Sequence, residues 1–144
     1  MNRIRLITGI ILFAAVLLPT SVSAKGDNVK ERNVKAYIFG FAASFNDSTV
    51  YLSDIQEVAT AYVTQKHKHL VDRNEYSYQL RNHLTNQQAG AHPTVVTFYA
   101  LSRKDAEKKY AKIKRKYTEK AKGRYIVKYI KPEEFQYTPV AHEQ

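Results

Sequence analysis

The stretch Val34-Lys35-Ala36-Tyr37-Ile38-Phe39-Gly40-Phe41 alternates the aromatics Tyr37, Phe39 and Phe41 with Ala36, Ile38 and Gly40. Period-two alternation marks an extended strand, because successive side chains point to opposite faces. Here both faces are apolar, so the strand belongs inside a sheet covered on at least one side by helices. Downstream, Asn46-Asp47-Ser48 forms a turn cluster before a short β-prone run over 49–52.

The next segments supply the cover. Ser53 and Gln56 stand at capping-box spacing, with Asp54 in the first turn. Ile55, Val58, Ala59, Tyr62 and Val63 follow at i, i+3, i+4, i+7 and i+8, which predicts a helix over 53–66. Asp72 and Glu75 open a second helix with the stripe Tyr76, Leu80 and Leu84, stopped near Gly90. After Pro93, the β-branched and aromatic run 94–101 is a strand. Ser102 and Asp105 then start the longest helix, whose apolar face is Ala106, Tyr110, Ile113, Tyr117 and Ala121 and whose C-terminal glycine is Gly123. A last strand occupies 125–130.

This order is that of an α+β (or α/β) protein, a three- to four-stranded sheet with about three helices packed against it in a single domain. Residues 94–130 form a βαβ-like unit, right-handed if its strands run parallel.

At the N-terminus, Arg3 and Arg5 precede an apolar run from Leu6 to Leu18, broken only by Thr8 and Gly9. Pro19 and the small-residue cleavage site Val22-Ser23-Ala24 follow, which predicts a cleaved secretory signal peptide over 1–24. The run falls short of the roughly 20 residues that a membrane span needs. The remaining divisions are a flexible leader (25–33), the domain (34–131) and a C-terminal tail (132–144), for which the sequence predicts a single helical turn at Pro132-Glu133-Glu134-Phe135 and a loose remainder.

Cysteine is absent from the 144 residues, which excludes disulfide frameworks, thiolate metal sites and thiol catalysis. Five glycines leave little for a phosphate-binding loop, and no HExxH motif occurs. The histidines His67, His69, His83, His92 and His142 read as solvated side chains at helix ends and loops, not as metal ligands. Asp54 and Glu57 sit where a helix start favours carboxylates. The reading is a non-enzymatic chain without cofactor or metal. A small envelope hydrolase would need a pocket built from Asp54, Glu57, His83 or His92.

Charge is the remaining signal. The chain carries +10 overall, and residues 103–131 alone carry +10, with thirteen basic residues against Asp105, Glu107 and Glu119. On the long helix, Lys104, Lys108, Lys112 and Arg115 lie opposite the apolar stripe, while Lys109 and Lys116 flank it. Such a row repels itself by a few tenths of a kcal/mol per pair, and docking on a polyanion relieves that repulsion and releases counterions. Lysine stems can equally cover apolar surface while their heads stay wet. The eleven tyrosines fit core-edge positions, with ring buried and hydroxyl wet.

Ala43-Ser44-Phe45-Asn46-Asp47-Ser48 and Tyr76-Ser77-Tyr78-Gln79-Leu80-Arg81-Asn82 resemble phrases of a family of small exported bacterial proteins of unknown function. That resemblance implies export and a shared fold. Val96-Thr97-Phe98, Ser102 through Tyr110 and Tyr125-Ile126-Val127 resemble one half of a SPOR domain, over about 35 residues. There a strand leads through a Ser/Arg-x-x-Ala-Glu helix start to a lysine-rich helix and another strand. This second resemblance implies a small envelope module that binds peptidoglycan glycan strands on its sheet. The first half departs from that pattern, with two helices where one is expected.

The expected function is an exported, periplasmic or secreted binding module of the cell envelope. Lys108, Lys112, Arg115 and Lys116 are its candidate contacts for peptidoglycan, another anionic envelope polymer or an envelope protein. Nucleic acid suits the charge but not the compartment. The alternative is a structural or protein–protein adaptor whose lysines only solubilise.

Overall fold

The computed structural model describes residues 29–87 and 92–142. The predicted signal peptide, leader residues 25–28 and Gly90 lie outside them. The described elements are β1 (Glu31–Ala43), β2 (Thr49–Ser53), β3 (Gln56–Thr64), α1 (Arg73–Gln87), β4 (Thr94–Ala100), α2 (Arg103–Tyr117) and β5 (Ile126–Ile130). The class is α+β: a mixed five-stranded sheet and, among the described residues, two helices instead of about three. None of these helices is long and apolar enough to cross a membrane.

β1 is the central strand. On one side its C-terminal half pairs antiparallel with β2, and its N-terminal half pairs antiparallel with β3. On its other side lies β4, with Phe39 opposite Phe98 and Phe41 opposite Val96. β5 runs parallel to β2 at the far edge. β4 and β5 therefore point the same way in one sheet, with β1 and β2 between them and α2 as the crossover.

The two apolar faces of β1 bury against different helices. Ala36, Ile38 and Ala42 join Tyr76, Leu80 and Leu84 of α1 in one core. Complete burial of side chains such as Leu80 contributes roughly 1.5–3 kcal/mol each. Gly40 shares this face, and a Cβ there would stand 2.3 Å from Leu80 Cδ2 and 2.5 Å from the Tyr137 hydroxyl. Only glycine permits so close a helix. The opposite face packs on α2: Tyr110 meets Phe39 edge-on at 5.4 Å, and Tyr117 stacks on Phe41 at 4.5 Å. The sheet is thus covered on both sides.

The helix predicted over 53–66 is strand instead. Val34 pairs with Ala61 and Ala36 with Val58, so β3 spends three residues where β1 spends two. This β-bulge places buried Val58 and Ala61 three apart, and exposed Ala59 and Thr60 lie between them. A helical interval is thereby produced on an extended chain. Ser53 caps no helix: its Oγ accepts the Gly40 N–H at 2.8 Å, where the sheet passes from β2 to β3.

The tail is not loose. Phe135 and Tyr137 are buried in the α1 core. Gln56 holds both ends of that segment: its Nε2 donates to the Phe135 carbonyl at 2.8 Å, and its Oε1 accepts the Tyr137 N–H at 2.7 Å. Gln79 of α1 grips Thr138 the same way, donating and accepting at 2.9 Å. Leader residues 31–33 are likewise already part of β1.

Candidate anion-binding surface

α2 begins as its sequence dictates. Ser102 is the N-cap, with its Oγ accepting the Asp105 N–H at 3.2 Å, and Arg103 pairs with Glu107 one turn on. Its inward residue Ala106 is fully buried, and Tyr110, Ile113 and Tyr117 are half-buried along the same face. The helix ends at Tyr117, well before Gly123. Thr118 is the C-cap, and its hydroxyl donates to the Lys114 carbonyl at 2.7 Å. The chain then folds back, with the Lys120 N–H donating to the Arg115 carbonyl at 3.0 Å. Lys122 (φ 51°) and Gly123 (φ 78°) turn it into β5.

This early stop creates a site. Lys108, Ala111, Lys112, Arg115 and Lys120 line an open cleft of about 270 Å³ on the outward side of α2. Four cations surround one methyl group, and no carboxylate lines the cleft. Arg115 also reaches Glu119 at 3.5 Å, an exposed pair of the kind worth at most about 1 kcal/mol.

Of the four expected contacts, the fold gathers Lys108, Lys112 and Arg115 and separates Lys116. The Lys116 ammonium lies 5.4 Å from the Tyr117 ring centroid. Lys120 takes its place in the cleft. Helical periodicity could not find it, because it returns through a turn and not along the helix face. Lys109 is structural, donating from Nζ to the Tyr99 carbonyl at 2.7 Å. Lys114 leans over the Tyr129 ring at 5.4 Å.

Asp54, Glu57, His83 and His92 are dispersed. Asp54 lies near Tyr110, and Glu57 pairs with Lys35 at 3.1 Å. His83 borders a cleft between α1 and β5 with Tyr51, Lys128 and Glu134. His92 borders another, with Ser77 and Arg81. The His67 and His69 rings stand 5.6 Å apart. His142 is held between Glu31 at Nε2 and Asp72 at Nδ1, the latter 3.6 Å away. Its two carboxylates meet opposite ring nitrogens, which suits a clasp on the tail. Among the described residues no three such side chains form a set that would hold a metal ion.

No protein-family model, curated protein or solved structure matches this chain.

Proposed function

We propose that this chain is an exported, non-enzymatic binding module of the bacterial cell envelope. It engages an anionic polymer, peptidoglycan being the first candidate, through the outward face of α2. The observation that carries this reading is the cleft of Lys108, Lys112, Arg115 and Lys120 around Ala111. Four cations held together cost mutual repulsion, and a polyanion laid along them relieves it while releasing counterions. The partial SPOR resemblance supports the same class of ligand.

A second reading, a protein–protein adaptor, is favoured by Phe45. This phenyl ring in the β1–β2 turn is 98% exposed.

Co-sedimentation of the protein with purified sacculi across a salt series tests the first reading. The comparison protein carries Lys108→Glu, Lys112→Glu, Arg115→Glu and Lys120→Glu. Binding by the parent and none by the variant is the expected result. Equal binding by both proteins moves the contact to another surface. Absence of binding by either removes the wall as ligand and turns the search to partners of Phe45.

A further inference from the structure

Three strands of the sheet, β3, β4 and β5, have an outer edge, and among the described residues the fold treats these edges differently. Along β3, Tyr62 accepts the Val71 N–H at 2.8 Å and Thr64 donates to His69 at 3.0 Å, so the following segment covers part of its edge. Along β4, Arg73 Nε donates to the Thr97 carbonyl at 2.7 Å and Lys109 Nζ to the Tyr99 carbonyl at 2.7 Å. One cation from each helix thus caps that edge. Such covering is how native sheets avoid unwanted pairing.

β5 has no such cover among the described residues. The Ile126 N–H donates to Ser48, and the Ile130 carbonyl accepts from Asp54. By strand alternation Ile126, Lys128 and Ile130 direct their backbone groups toward β2. Val127 and Tyr129 direct theirs away from the sheet, and no described donor or acceptor meets them. Ile126 and Tyr129 are also 60% and 40% exposed.

We propose that the outer edge of β5 accepts an extended acidic peptide segment as a sixth strand. Backbone pairing with Val127 and Tyr129 supplies affinity, as in other strand-addition complexes. Charge supplies the choice of partner. Lys128 lies on the α1 side of the strand with its Nζ over Tyr51, and Lys114 lies on the α2 side over Tyr129. Arg124 and Lys131 bracket the strand ends, and among the described residues none of these four forms an ion pair. Glu134 is the acidic neighbour, and its carboxylate accepts the Lys131 N–H at 3.2 Å. A strand with acidic residues on both faces meets a cation on each. A second copy of β5 brings the same cations against themselves, so self-pairing is disfavoured.

The test uses isotope-labelled protein and a capped decapeptide in which pairs of glutamates alternate with pairs of threonines, so that each face of the extended peptide carries acid. Its controls are the lysine-for-glutamate peptide and a fully N-methylated peptide of unchanged charge. The expected result is slowed amide exchange at Val127 and Tyr129 with the acidic peptide. The N-methylated form should bind about tenfold or more weakly, because its backbone donors are gone. Val127→Pro, which removes an outward N–H while leaving the β2 ladder, should abolish the protection and leave sacculus sedimentation unchanged. Equal binding of the N-methylated peptide overturns the proposal, even if the proline variant fails to fold. Shifts confined to Lys108, Lys112 and Arg115 also overturn it, as do absence of binding and dimerisation through β5 without peptide. Sacculus sedimentation reports separately on the α2 cleft.

Discussion

The Gly40 amide donates a 2.8 Å hydrogen bond to the Ser53 Oγ, where β2 hands over to β3 beside the central strand. A side chain replaces the missing ladder carbonyl at a fully buried position. Ser53→Ala should destabilise the fold by about 1–3 kcal/mol, because an amide is left buried without a partner. Gly40→Ala should cost a similar ~1–3 kcal/mol through its clash with Leu80 and Tyr137. Urea unfolding midpoints of the two variants measure both effects. Parent-like midpoints would show that the strand junction relaxes freely.

Capping of the β4 edge predicts a solution property. Arg73→Ala with Lys109→Ala frees the Thr97 and Tyr99 carbonyls and removes both cations from the Tyr99 ring. The double variant should self-associate at concentrations where the parent does not, as sedimentation velocity would show. Unchanged sedimentation would mean that the helices themselves screen this edge.

Alkaline stability should depend on Tyr110. Burial first, then Asp54 and Tyr129, push its hydroxyl up to about 12. A proton held more tightly in the folded state stabilises fully below the ordinary tyrosine value near 10. That contribution is lost as pH rises through about 12. Stability should fall across this window, and less steeply in Tyr110→Phe, which keeps the ring on Phe39. Tyr137 and Tyr76, raised mainly by burial, contribute slope of the same sign. Parallel curves for parent and variant would exonerate Tyr110.

Within the basic cleft, Lys120→Glu should weaken sacculus binding and reduce the logarithmic salt slope by about 1 for the contact removed. Lys116→Glu should change both much less, because its ammonium sits over Tyr117 outside the cleft. Equal effects would indicate a response to net charge and not to the cleft.

Gln56→Leu removes both hydrogen bonds that hold Phe135 and Tyr137. It should cost about 1–2 kcal/mol and increase proteolysis of the tail before the rest of the chain. Cleavage at the parent rate would show that apolar burial alone retains the segment.

The central strand, the α1 stripe of Tyr76, Leu80 and Leu84, the Ser102 cap and the α2 face were legible because each follows one regular period. β3 was not, since its bulge converts the two-residue rhythm into the three-residue step from Val58 to Ala61. The β-branched residues Val58, Thr60, Val63 and Thr64 were the contrary signal. The role of Gln56 was hidden because its partners lie about 80 positions on, at Phe135 and Tyr137. Three of the four cleft cations were readable from helical spacing, while Lys120 depends on a turn that spacing does not encode.

The buried tail also orders events in time. β1 emerges early in synthesis, yet its Gly40 face closes only when Leu80 and then Tyr137 arrive. A nascent chain ending before residue 135 holds the central strand without its lid. Folding is therefore dominated by contacts between distant parts of the chain, which makes it slow for its size. A growing chain can close the Gly40 face of its central strand only after residue 137 has been made.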